Sequence, residues 1–240
     1  MTFPGLFCEK ERMNMNEKQE QNGNLEQILL MQRGELVGRD DIPFKWMKNW
    51  ICFQLVNPKN YSEILEQIPW FPFLDLAIIF RVQLDVGEQT QVSCIVSKRY
   101  LEYWKISPRQ LAEIAFKNTL RLYPPHLEAF NEVVAQFLDD IPKMEDNQWY
   151  ILTNEKQNMG ASVMLYPEVL KRFADKIQDD FYIIPSSVHE LILVPKRMNV
   201  KTEELNQMIE DVNRTCVIPS ERLADHGYLF CRKEVKIELL

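Results

Sequence analysis

Phe181-Tyr182-Ile183-Ile184-Pro185-Ser186-Ser187-Val188-His189-Glu190-Leu191-Ile192-Leu193-Val194 is the stretch on which the fold turns. Two apolar runs, rich in β-branched and aromatic residues, flank a short polar link that opens on proline, which reads as two strands and a loop. So short a link leaves no room for a crossover helix, so the strands are expected to pair antiparallel. Downstream, Leu205, Met208, Ile209 and Val212 recur at i, i+3, i+4 and i+7, the stripe of an amphipathic helix. The same order reads upstream as an imperfect repeat: a strand over 149–153, a loop containing Gly160, a strand over 161–165, then a helix opened by Pro167. Its inward face is Leu170, Phe173, Ala174 and Ile177. A hairpin over 228–231 and 235–237 is expected to end the chain. The fold class expected is α+β: mostly antiparallel sheets with helices packed on one face, and two ββα-like units in the C-terminal half.

The other half carries similar punctuation. Residues 50–56 read as a strand that stops at Asn57-Pro58, and a helix follows with Tyr61, Ile64, Leu65 and Ile68 on one face until Pro69 ends it. Residues 74–84 and 91–97 read as strands joined by an acidic turn over 85–88, where Gly87 can take positive φ. Ser107-Pro108-Arg109-Gln110 is a helix start with a hydroxyl cap, a proline where the amide has no partner anyway, and a glutamine to close a capping box. Leu111, Ile114, Ala115 and Leu122 are its expected inward face. Pro124-Pro125 breaks that helix, and a second is expected with Leu127, Phe130, Val134, Phe137 and Leu138 on its stripe, opened by His126. The polar run 143–148 suggests a boundary. The expected organisation is a mobile tail and short helix over 1–45, capped at Asn24, then α+β subdomains over 46–142 and 147–240.

Composition narrows the function classes. A net charge of -7 repels phosphate backbones, and the basic dipeptides Lys98-Arg99 and Arg232-Lys233 stand without a basic stripe, so no nucleic acid is expected as partner. Five cysteines, widely spaced and without a CxxC, indicate neither a disulfide framework nor a zinc ribbon. No signal segment or membrane-length apolar run is read, which makes a soluble cytoplasmic protein the expectation, with no membrane partner. Phosphate-loop, dinucleotide, HExxH, GxSxG and EF-hand motifs are missing, so no cofactor and no metal are expected.

Polar residues between the two decisive strands need a reason. One reading is hydrolytic: Ser186 or Ser187 as nucleophile, His189 as base and Glu190 as its orienting carboxylate, with Asp225-His226 brought in from the final hairpin. Against it, His189 and Glu190 would point to opposite faces of a strand. The plainer reading is a hydroxyl-rich turn that satisfies loose backbone groups. Thr153 and Asn154, with the loop 158–160, would either bind a small ligand or turn the chain. Trp70, Phe71 and Phe73 form an aromatic cluster that, if exposed, is an interaction anchor, and otherwise a lid over the core.

Ile51-Cys52-Phe53-Gln54-Leu55-Val56-Asn57, Phe73-Leu74-Asp75-Leu76-Ala77, Tyr150-Ile151-Leu152-Thr153-Asn154, Gly160-Ala161, the 185–190 link and Ala224-Asp225-His226-Gly227-Tyr228 together resemble an uncharacterised domain-of-unknown-function family. Its members are associated with anaerobic Gram-positive gut bacteria, and the resemblance runs from about residue 49 to about residue 232, with the amino-terminal 45 residues unlike those members. It implies a bacterial protein and no activity. The leading expectation is a non-catalytic binding or interaction protein, whose surface and the groove between its halves engage another protein or a small molecule. A Ser/His-dependent hydrolase is the alternative, and an exposed sheet edge leaves room for homo-oligomers.

Overall fold

The computed structural model describes residues 42–85, 91–135 and 149–240. In chain order these form α1 (Phe44–Met47), β1 (Ile51–Val56), β2 (Trp70–Phe73), β3 (Leu76–Asp85), β4 (Gln91–Ile95), α2 (Lys98–Trp104), α3 (Pro108–Leu122), β5 (Pro125–Ala129) and α4 (Phe130–Ala135). There follow β6 (Tyr150–Asn154), a 3-10 helix over Gly160–Leu165, α5 (Pro167–Ile177), β7 (Phe181–Pro185), β8 (Leu191–Pro195), α6 (Thr202–Thr215), β9 (Tyr228–Cys231) and β10 (Lys236–Leu239). The protein is α+β, and every strand pairing among the described residues is antiparallel. The tail expected before residue 42, the turn at Gly87, and Phe137, Leu138 and the run 143–148 lie outside the described residues.

Sheet one is organised around β3. β1 pairs along one side of it, while β2 and β4 share the other, β2 opposite its first half and β4 opposite its second. Sheet two runs β10-β9-β7-β8-β6-β5. One hydrophobic cluster draws on both sheets, taking Ile51, Phe53, Leu55 and Phe80 from the first and Leu152, Phe181, Ile183 and Leu193 from the second. The period-2 alternation of β7 divides its neighbours: Phe181 and Ile183 face Leu170 and Phe173 of α5, whereas Tyr182 and Ile184 face Leu205 and Ile209 of α6. Rings continue across that sheet, with Phe181 stacked on Phe230 at 4.9 Å and edge-on to Phe173 at 4.9 Å.

Local readings hold where side chains cap the backbone. Ser107 Oγ accepts from Gln110 N and the Gln110 side chain accepts from Ser107 N, so both halves of the capping box of α3 form. α5, β7, β8 and α6 lie where their patterns place them.

Four local expectations are corrected. Residues 126–129, expected in the helix opened by His126, belong to strand β5, because Leu127 faces Leu152 of β6 and the ladder outweighs the single member of the helical stripe that falls there. The helix begins only at Phe130. Ala161 to Leu165, expected as a strand, belong to the 3-10 helix, where five of the six residues are buried. Tyr61, Ile64, Leu65 and Ile68 do bury together against Val56, Ala77 and Ile79, yet only Pro58–Tyr61 is helical, as a 3-10 turn. Finally, residue 74 does not begin a strand: Trp70–Phe73 is itself β2, and Leu74 turns the chain at φ 54° before β3 starts.

Candidate functional site

One concavity grows from strand register. Phe53 of β1 lies opposite Phe80 of β3, and Phe71 of β2 lies opposite Ile78, so these four side chains form one apolar patch across three strands. α3 crosses over it with two stripes. Leu111, Ala115, Asn118 and Thr119 are buried in the core, while Arg109, Ala112, Glu113 and Phe116, at i, i+3, i+4 and i+7, face the patch. Between them, with Leu165 also lining it, is a groove of about 410 Å³. Phe116 stacks on Phe53 at 6.0 Å and Phe71 meets Phe80 edge-on at 6.0 Å, so the walls are held by ring contacts. Neither Arg109 nor Glu113 has an ion-pair or hydrogen-bond partner among the described residues.

The aromatic cluster at 70–73 is divided by strand alternation. Phe71 and Phe73 pack against the core, Phe71 forming part of the groove wall, while Trp70 on the other face is 40% exposed.

The polar link 185–190 is drawn into local hydrogen bonds. Ser186 Oγ donates to Glu190 Oε1 at 3.1 Å, and Ser187 Oγ accepts from His189 N at 3.0 Å. His189 Nδ1 accepts from Met159 N at 3.2 Å, which leaves the ring proton on Nε2, 3.5 Å from Glu221 Oε1. Neither serine hydroxyl is bonded to an imidazole. Thr153 and Asn154 are buried and hold the same corner: the Thr153 hydroxyl donates to His189 O at 2.7 Å, and Asn154 accepts from Lys156 N and donates to Asn158 O. Gln54 Oε1 is buried beside them without a hydrogen-bond partner, while its Nε2 contacts Met159 Sδ.

His226 belongs to a different cluster. Its Nε2 lies 2.9 Å from Asp75 Oδ2, its Nδ1 lies 2.9 Å from Gly227 O, and Tyr228 donates to Asp75 Oδ1 at 3.0 Å. Asp75 thus ties the β2–β3 turn of sheet one to β9 of sheet two. Burial, reinforced by the Asp75 charge, pushes the Tyr228 hydroxyl far above the ordinary phenol range, so it is a fixed donor. Asp225 accepts instead from Asn213 Nδ2 at 2.9 Å. The imidazoles of His189 and His226 therefore share no partner. Asp75 gives no cue in sequence, since only the left-handed Leu74 aims it across. Asp75→Ala is expected to cost about 1–3 kcal/mol, because the buried Tyr228 hydroxyl loses its acceptor. Adding Tyr228→Phe should recover part of that loss. Urea denaturation of the two single variants and the double checks this, and strictly additive losses would dissolve the clasp.

Among the described residues no group of three or more His, Cys, Asp or Glu is placed to hold a metal ion, and no helix is long and apolar enough to cross a membrane.

Phe71 aside, the groove residues escaped the sequence reading because they come from three strands and a helix brought together only by folding. The one linear signal is the second stripe of α3, where Phe116 repeats the spacing of Arg109 and Ala112 on a side that the inward face does not need.

Neither the curated proteins nor the solved structures contain a match to this chain. A protein family does match, over residues 25–232, so the similarity begins ahead of residue 49 and takes in part of the segment set apart as unlike the family. By that match across most of its length, the chain belongs to a family of unknown function, DUF5688.

Proposed function

We propose that this is a non-catalytic binding protein that holds an apolar ligand in the groove between sheet one and α3. The observation that carries the reading is the groove itself: about 410 Å³, walled by Phe53, Phe71, Ile78, Phe80 and Phe116. That volume falls in the range of small-molecule sites, which are mostly apolar and formed before the ligand arrives. Four of the five wall residues sit on strands and one on a helix, which favours a rigid site over an adaptable loop surface. Hydrolysis by a Ser/His pair is the weaker reading, because the hydroxyls of Ser186 and Ser187 and both nitrogens of His189 are already engaged with other partners.

Ala112 is the residue whose smallness keeps the groove open. Ala112→Trp, or Leu165→Trp, should fill it and weaken binding of the neutral apolar dye Nile red by roughly tenfold or more, with the circular dichroism spectrum retained. Fluorescence titration measures this directly. Saturable one-site binding in the wild type that either Trp variant leaves intact would remove the groove from the account.

A further inference from the structure

Given an apolar ligand in the groove, as proposed above, we infer that the ligand class is an amphipathic carboxylic acid, with its alkyl or aryl body among the phenylalanines and its carboxylate on Arg109. Arg109 stands on the groove-facing stripe of α3 and has no acceptor among the described residues. A guanidinium in that position offers a planar fork of N–H donors, which matches a carboxylate in two parallel hydrogen bonds. Apart from Glu113, the rest of the wall is aromatic or aliphatic and offers no other polar anchor, so one charged end and an apolar remainder is the chemistry the groove complements.

Glu113 refines the choice. It lies one helical turn beyond Arg109 on the same stripe and also lines the groove. A singly charged, planar carboxylate can meet the guanidinium while keeping clear of it, whereas a dianionic phosphate brings more negative charge against the Glu113 carboxylate. Arg109 also occupies the second position of α3, where the exposed end of the helix favours an anion, while Glu113 lies beyond the first turn, where that preference fades. A cationic ligand held by Glu113 would place its charge beside an uncompensated Arg109.

Isothermal titration at low salt and pH 7 with decanoate, 1-decanol and decylamine decides the matter, since the three share one chain and differ only in the head group. Decanoate is expected to bind roughly tenfold tighter than decanol, and decylamine more weakly than either. Raising the salt concentration should narrow the gap, because Arg109 is exposed. Arg109→Gln should erase the difference between acid and alcohol, and Glu113→Gln should widen it. Decanol binding as tightly as decanoate, or decylamine binding best, overturns the assignment of a carboxylate while leaving an apolar groove ligand standing. If none of the three binds, the groove reading falls and this inference with it.

Discussion

Gly160→Ala is expected to remove about 3 kcal/mol of stability or more. A Cβ at that position would overlap the Thr153 hydroxyl and the His189 carbonyl oxygen, and would lie 3.0 Å from Asn154 N. Two of those three atoms are backbone, and the third is held by its own 2.7 Å hydrogen bond to the second, so none can swing aside cheaply. Ala161 N is bonded to Val188 O at 3.1 Å, which fixes the glycine from its other side. The damage should spread, because the next residue but one, Ser162, accepts at its Oγ from Leu55 N on the edge of β1. Gly227→Ala is the control. Its nearest neighbour would be Leu240 Cδ1 at 2.9 Å, the far end of a flexible side chain, so a loss below about 1 kcal/mol is expected. Equilibrium urea denaturation of both variants gives the comparison; equal losses would mean that the corner at Gly160 relaxes freely.

That corner is visible in sequence while its partners are not, which follows from what periodicity can and cannot carry. The serines, His189, Thr153 and Asn154 stood out because polar side chains between apolar strands need partners, and they do have them. The partners are mostly backbone atoms of neighbouring loops, however, so residue types suited to catalysis are spent on closing the chain. α3 was legible to its first residue because a capping box is a local device, complete within four positions. β5 was not, since Leu127 fits the helical stripe that Phe130 continues, and the choice at Leu127 is made by Leu152 on a strand twenty-odd residues away. β2 was hidden by its turn. Leu74 takes a left-handed conformation that glycine or asparagine would have announced, and leucine does not.

The groove lay further out of reach for the same reason. Phe53 and Phe80 look like ordinary core residues in their own segments, and register alone makes them neighbours of Phe71 on a wall that α3 does not fully cover. Sequence identified the apolar supply but gave no means of telling that a space would be left beside it.

Thr119→Val combined with Ser162→Ala should cost about 2–6 kcal/mol, because it strips the hydrogen-bond acceptors from a sheet edge buried inside the protein. β1 pairs with β3 on one side only, yet all six of its residues are buried, so its outer N–H groups can reach neither water nor another strand. Side chains stand in for the missing strand. Phe53 N donates to Thr119 Oγ1 at 3.0 Å and Leu55 N donates to Ser162 Oγ at 3.0 Å, while Asn118 Nδ2 donates to Ile51 O at 2.9 Å. Each orphaned buried amide costs about 1–3 kcal/mol, and valine matches threonine in shape, so the loss at residue 119 reports the hydroxyl and not a cavity. Thr119→Ser keeps the oxygen and is expected to lose less than Thr119→Val. Amide hydrogen exchange at Phe53 and Leu55 should accelerate in the double variant, and Nile red binding should weaken with it, because Phe53 is both the edge residue that loses its bond and a wall of the groove. Unchanged exchange at those two amides, with wild-type stability, would mean that the edge finds water after all and that the side-chain substitutes contribute nothing to holding the groove open.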